Sequence, residues 1–283
     1  MLRLLLVINL YFMRIGLDIG GTKVRIGLID RYGRAHDVTT VDCPSHLSKE
    51  DFLARVMDLV ASRFSTSVSM IGVGVPAVVD EDGVVYDCVN IPSWDRVELK
   101  AILEDRFGIP VQVNNDCNCF ARGVMASKYG RKAENLVCMT IGTGVGAGLV
   151  LGGKLYTGKN SCAGEIGCIQ YKDHDYEYYC SSQFFIRLGT TAKDEAEKAA
   201  AGDENALKLW DEFGTNVGDL INMVTFAYDP QVIVIGGGIA SAFGLFEKAM
   251  RRRMADFPYS NVAAGLKVLS DPSGDLLLVG SVR

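Results

Sequence analysis

The chain has 283 residues, 48% of them hydrophobic and 22% charged, with a net charge of −5; the balance excludes disordered and fibrous classes, and the length exceeds the usual extent of one core, so two domains are expected. That acidic balance, with no block of like charge longer than Arg251–Arg253, argues against a nucleic-acid-binding surface. Eight cysteines are too sparse for a disulfide framework and point to reduced thiols and a cytoplasmic protein.

Met1–Phe12 is an apolar run with a single charge at Arg3, too short to span a bilayer and without a small-residue cleavage site. It reads as a frayed tail or an upstream start, not a signal peptide or membrane anchor. The organising stretch follows, from Ile15 to Asp30. An apolar run enters a turn carrying Asp18, Gly20, Gly21 and Thr22, then leaves in alternation through Lys23, Val24, Arg25, Ile26 and Leu28. That pattern predicts a β-hairpin with a glycine-rich tip. Paired glycines let backbone N–H groups converge without a Cβ in the way, so the tip suits phosphate oxygens, and Asp18 can hold Mg²⁺ directly or through water. The simpler reading is a tight turn and nothing more.

Ala35–Asp42 reads as a third strand and 48–64 as a helix capped by Ser48, with Phe52, Leu53, Val56, Leu59 and Val60 on one face. A buried strand over 70–75 ends in Gly74-Val-Pro76, where the proline halts the ladder. Asn90, Ser93 and Trp94 then offer an amide, a hydroxyl and a flat apolar face, the chemistry of a sugar subsite or of an ordinary loop with a core Trp. A helix over 97–107, closed by Gly108, leads to Val111-Gln-Val-Asn-Asn-Asp-Cys-Asn118, a strand that breaks into a helix running to about Lys128. A carboxylate there, Asp116, stands where an α/β cleft opens. Either Asp116 or Asn115 can serve as the helix N-cap.

Leu136–Leu151 repeats the strand, Gly/Thr turn and strand, with Gly142, Thr143 and Gly144 in the turn, about 120 residues after the first hairpin. Two such turns facing each other across a cleft would grip a nucleoside triphosphate from both sides. A Gly-spaced loop presents Glu165 and Cys168, and residues 171–185 turn aromatic and polar. Helices are expected over 182–188, 192–201 and 205–227, the last with Leu207, Trp210, Phe213, Val217, Leu220, Ile221 and Val224 on one face. The run Val234-Ile-Gly-Gly-Gly238 predicts a strand, a triple-glycine turn open to a flat ring or a phosphate, and a helix.

Taken together, Asp18–Thr22, Val113–Asn118, Ile141–Gly146, Gly164–Gly167 and Val234–Gly238 resemble, in order and over nearly the whole chain from Met13, the ROK family of sugar kinases and repressors in the actin-like ATPase superfamily. The resemblance implies an α/β protein of two actin-like ATPase (ribonuclease H-like) domains around a central cleft. A small N-terminal domain, 13–117, would hold the sugar side and first phosphate turn. A larger C-terminal domain, 118–283, would hold the second turn and the adenosine site, with its extreme C-terminus packing back on the first. It further implies ATP and Mg²⁺, with Asp116 as general base and Asp18 toward the metal. Gly20, Gly21, Thr22, Lys23, Gly142, Thr143 and Gly144 would hold phosphates, and Gly237 and Gly238 would lie against adenosine. Gly74, Pro76, Asn90, Asn115, Glu165, Cys168 and Gln183 would form the sugar side. The substrate would be a hexose or N-acetylhexosamine phosphorylated at the 6-hydroxyl, by a homodimer free of nucleic acid and membrane.

The departures from the family pattern concern the sugar side. Cys168 stands where members commonly carry a histidine, only Cys180 remains of a zinc-binding cysteine cluster, and Gln183 is the candidate for a glutamate that follows it. Cys162, Cys168, His174 and Cys180 recur at equal intervals, yet no Cys-x-x-Cys anchors them, so a structural zinc is expected to be absent. A repressor would need about 60–80 residues of helix-turn-helix ahead of the kinase-like region, and only Met1–Phe12 precede Met13. A sugar-sensing protein without catalysis is the remaining alternative.

Overall fold

The hydrophobic alternation around the first glycine turn becomes an antiparallel pair. In a computed structural model, which describes residues 13–283, β1 (Met13–Ile19) pairs with β2 (Lys23–Ile29), and β2 with β3 (Ala35–Asp42). The tail reading of Met1–Phe12 lies outside the described residues. Helix α1 (Lys49–Ala61) starts at Ser48, whose hydroxyl accepts a hydrogen bond from the Asp51 N–H at 3.1 Å, and it buries Phe52, Val56 and Val60. Strand β4 (Val68–Val75) lies parallel to β1. A small antiparallel sheet of β5 (Val78–Val79), β6 (Val85–Tyr86) and β7 (Arg96–Val97) frames the segment carrying Asn90. Helix α2 (Leu99–Phe107) stops at Gly108, whose φ of 66° is the left-handed value that glycine adopts freely. It feeds β8 (Val111–Asn115), parallel to β4, and then α3 (Asp116–Ala126). The sheet order is β3-β2-β1-β4-β8.

The chain divides into two compact units, and the first runs to Lys128 before the chain leaves it. The second, 129–156 and 163–274, rebuilds the same plan. Strands β9 (Leu136–Ile141), β10 (Val145–Leu151) and β11 (Lys154–Tyr156) form the antiparallel part. A 3₁₀ turn over Ile166–Cys168 leads to a short hairpin, β12 (Gln170–Tyr171) and β13 (His174–Asp175), and to helices α4 (Tyr176–Cys180), α5 (Gln183–Ile186), α6 (Ala192–Ala200) and α7 (Glu204–Tyr228). Strand β14 (Val232–Gly236) lies parallel to β9; after a 3₁₀ turn, α8 (Phe243–Met254) and α9 (Ser260–Gly265), β15 (Lys267–Ser270) lies parallel to β14. The order β11-β10-β9-β14-β15 matches that of the first sheet strand for strand.

Each unit has its own apolar centre. In the second, Trp210, Phe213, Phe184, Phe185 and Phe246 are all buried and in mutual ring contact, so α7, α5 and α8 share one aromatic core. Each such ring contributes on the order of 2–3 kcal/mol by burial alone. Leu207 departs from the expected apolar face: it is 44% exposed, because it sits in the first turn of α7, before the helix reaches the aromatic core.

Helix α10 (Asp275–Ser281) belongs to the first unit, although it follows β15 directly. It packs tightly along α3, where a Cβ on Gly123 would stand 1.8 Å from the Leu276 carbonyl oxygen, closer than any side chain allows. Arg25 Nη2 donates to Asp275 Oδ1 at 3.1 Å and ties the start of this helix to β2. Among the described residues no helix is long and apolar enough to cross a membrane, and all eight cysteines are free.

Candidate active site

In the first unit, three parallel strands bring their ends into line. Asp18 on β1 pairs with Gly74 on β4, and Gly74 pairs with Asn114 on β8, with Val75 and Asn115 next in register. Carboxyl ends of parallel strands are where ligands bind in open α/β sheets. The chain turns from β8 into α3 with Asn115 as the N-cap: its side-chain oxygen accepts from the Asn118 N–H at 3.2 Å. Asp116 is thereby freed from the capping role and becomes the first residue of the helix, half-buried, with Oδ1 accepting from the Cys117 N–H at 2.8 Å. A Cβ on Gly74 would meet Leu277 Cδ2 at 3.0 Å and would lie in ordinary contact, 3.5 Å, with the Asp116 Cα.

Asp18 and Asp116 are electrostatic neighbours. Burial, then the negative charge of Asp116, push the Asp18 carboxyl up to about 7, against the lowering influence of Arg25, its cross-strand partner. Such an excess of negative charge suits a hard divalent cation. Mg²⁺ keeps several waters and takes one or two carboxylates, so this donor set fits it. Gly20 closes the first turn by donating to the Lys23 carbonyl at 2.9 Å, and Thr22 accepts from the Cys43 N–H at 2.9 Å. Lys23 forms an exposed ion pair with Asp42. Pro76 follows the end of β4, and Asn115 Nδ2 donates to the Ala77 carbonyl at 3.4 Å just beyond it. Asn90 lies against Gly21.

In the second unit, the Gly142–Gly144 turn joins β9 to β10, closed by the Gly142 N–H donating to the Gly144 carbonyl at 3.0 Å. Gly237 has a φ of 88°, and a Cβ on it would fall 2.5 Å from the Ile141 carbonyl oxygen, so only glycine fits. Gly238 is beside the same turn: its nitrogen is 3.6 Å from where a Gly142 Cβ would be. The structure thus gathers Gly142, Thr143, Gly144, Gly237 and Gly238 into one backbone-lined corner.

Glu177 belongs to this corner and escaped the sequence reading. Its Oε2 accepts from the Val145 N–H at 3.0 Å and occupies the space a Gly144 Cβ would need, 2.4 Å away. It also faces Glu165, whose carboxyl is raised by the atoms crowded around it and then by the Glu177 charge. Sequence signals were sparse: Glu177 sits in an aromatic stretch and follows Asp175, a helix N-cap accepting from the Tyr178 N–H at 2.8 Å. Gln183, the expected stand-in for a glutamate, is exposed at the start of α5, and Cys168 is exposed at the end of the 3₁₀ turn. Cys180 is buried in the aromatic core, and among the described residues no group of three or more His, Cys, Asp or Glu could hold a metal ion.

Comparison with known proteins adds to this geometry. The ROK family model matches residues 14–274. The glucokinase of Thermotoga maritima is 26% identical, covering 91% of this chain and 92% of its own. The N-acetyl-D-glucosamine kinase of Vibrio vulnificus is 28% identical over 93% of this chain and 95% of its own. Among solved structures, a ROK family glucokinase from Streptomyces griseus in complex with glucose and AMPPNP superposes with a TM-score of 0.84 at 27% identity, covering 95% of this chain and 98% of that one. A ROK family transcriptional regulator shares the fold at a TM-score of 0.82 and 22% identity, with 96% of this chain and 78% of that one covered.

Proposed function

The chain belongs to the ROK family, and from that premise we propose that it is an ATP-dependent sugar kinase acting on a hexose or N-acetylhexosamine at the 6-hydroxyl, with Asp116 as the general base. Sugar kinase activity is supported by relatives named glucokinase and N-acetyl-D-glucosamine kinase. The observation that carries the assignment of Asp116 is its place at the end of β8 in the first turn of α3, with the capping role taken by Asn115 and Asp18 across Gly74.

In this reading Asp116 accepts the proton of the sugar hydroxyl as its oxygen bonds to the γ-phosphorus and the bond to ADP breaks. Positioning and charge stabilisation carry most of phosphoryl transfer, and one well-placed carboxylate orients the nucleophile. Asp18 is the residue that would hold Mg²⁺, which would supply neutralisation of the charge on the phosphates. In the first unit the backbone of Gly20–Thr22 and Lys23 would bind phosphate, and Gly74, Pro76, Asn90 and Asn115 would line the sugar side. In the second, Gly142–Gly144 would bind phosphate and Gly237 and Gly238 would lie against adenosine. Glu165, Cys168 and Gln183 are that unit's sugar-side groups, and Glu177 braces the turn.

The experiment is ADP release from Mg²⁺–ATP across a panel of hexoses and N-acetylhexosamines. The reading expects release dependent on one or a few of these sugars. Sugar binding without ADP release from any of them would favour a sugar-sensing protein instead.

A further inference from the structure

Gly21 and Asn90 are far apart in sequence and touch in the folded first unit. A methyl group at Gly21 would stand 2.6 Å from the Asn90 Cβ and 2.9 Å from its Cγ. Rotation about the side-chain bonds of Asn90 moves Cγ away but leaves Cβ where the backbone holds it. The backbone is held firmly on both sides. In the loop, the Asp87 N–H donates to the Asp95 carbonyl at 3.0 Å, Ile91 to Cys88 at 2.8 Å and Trp94 to Ile91 at 2.9 Å. Below Asn90, Ile91 is fully buried, and Trp94 packs on Phe52 with ring centroids 4.9 Å apart. On the turn side, Gly20 and Thr22 are fixed by their backbone bonds to Lys23 and Cys43.

We propose that Asn90 is a positioning residue for the first phosphate turn: its Cβ seats the Gly21 backbone, so the residue that offers its amide to the sugar also fixes where the N–H groups of the turn stand. The proposal rests on the kinase reading above and adds a steric role for Asn90 toward the turn inside a single unit. Asn90 is an exposed residue whose Cβ abuts the turn.

The test compares wild type, Gly21→Ala, Asn90→Gly, Asn90→Ala and the two double variants by kcat/KM for ATP and KM for sugar. Gly21→Ala lowers kcat/KM for ATP by roughly tenfold or more, the size of coupling seen between contacting residues. Adding Asn90→Gly removes the obstructing Cβ and restores most of that loss, although Asn90→Gly alone raises the sugar KM. Adding Asn90→Ala, which removes the amide but keeps Cβ, restores nothing. Equal rescue by Asn90→Ala, or no rescue by Asn90→Gly, overturns the proposal. If wild-type protein phosphorylates no sugar, the kinase reading falls on its own. The pair is then scored by the Mg²⁺–ATP concentration giving half-maximal thermal stabilisation, with the same pattern expected and the same two results overturning it.

Discussion

The two five-stranded sheets share strand order and strand direction, and their strand ends carry different chemistry. In the first, the last residue but one of β1 is Asp18, opposite Arg25, and β8 leads into Asp116. At the matching place in the second, the last residue but one of β9 is Thr140, opposite Gly146 and beside Gly236 of β14, and glycines follow at 142, 144, 237 and 238. The nearby carboxylate, Glu177, arrives from a short helix and is engaged by the Val145 N–H. One backbone plan therefore carries a charged end in one copy and a glycine-rich end in the other, where the carboxylate comes from a neighbouring helix. The skeleton fixes where a site can be, and a few residues at the strand ends decide what it does.

That contrast is sharpest at the paired positions Asp18 and Thr140. Asp18→Asn should raise the Mg²⁺ requirement by at least the roughly 10–100-fold that loss of an outer-shell metal partner costs. Thr140→Ala should change it only a few-fold, and equal effects in magnesium titrations of activity would erase the distinction drawn between the two copies. Next in size is Gly237→Ala. A side chain there meets the Ile141 backbone and must adopt a φ of 88°, a strain of about 1–3 kcal/mol. Tm should fall and the KM for ATP should rise more than that for sugar; an unchanged KM for ATP would separate this glycine from the nucleotide.

The smallest effect lies at the β2–β3 turn, remote from the strand ends. Burial alone would raise the Asp30 carboxyl, but the Arg34 N–H, His36, the Arg34 guanidinium and the Tyr32 N–H hold it well below the usual carboxylate range. A depressed native pKa means the charged form stabilises the fold above the unfolded value near 4, and that this stability is lost as pH falls toward the native value. Asp30→Asn should lower Tm modestly at pH 7, and the gap to wild type should shrink below about pH 4. Activity should be unaffected. A gap that widens with acid would reverse the sign of this account.

Most of this plan is legible in the chain. The glycine turns, the alternation around them and the Asn-Asn-Asp break punctuate strands strongly, and β3 spans the expected Ala35–Asp42. Other features carry no local signal. Helix α10 is Asp-Leu-Leu-Leu-Val-Gly-Ser, apolar around its circumference, so no polar face marks a helical period. Helix α4 is too short to show one, and it hid Glu177. The choice between Asn115 and Asp116 as cap needed the structure, because both side chains can cap a helix and only the hydrogen bond to the Asn118 N–H distinguishes them.

The central claim is that Asp116 accepts the sugar proton, and turnover with binding in Asp116→Asn tests it most directly. The amide keeps the shape of the carboxylate and cannot take the proton. The account predicts kcat reduced by about 10²–10⁴-fold, the contribution of a general base, with sugar affinity by calorimetry within a few-fold of wild type. A variant that keeps more than about a tenth of wild-type kcat, well short of that range, would contradict it.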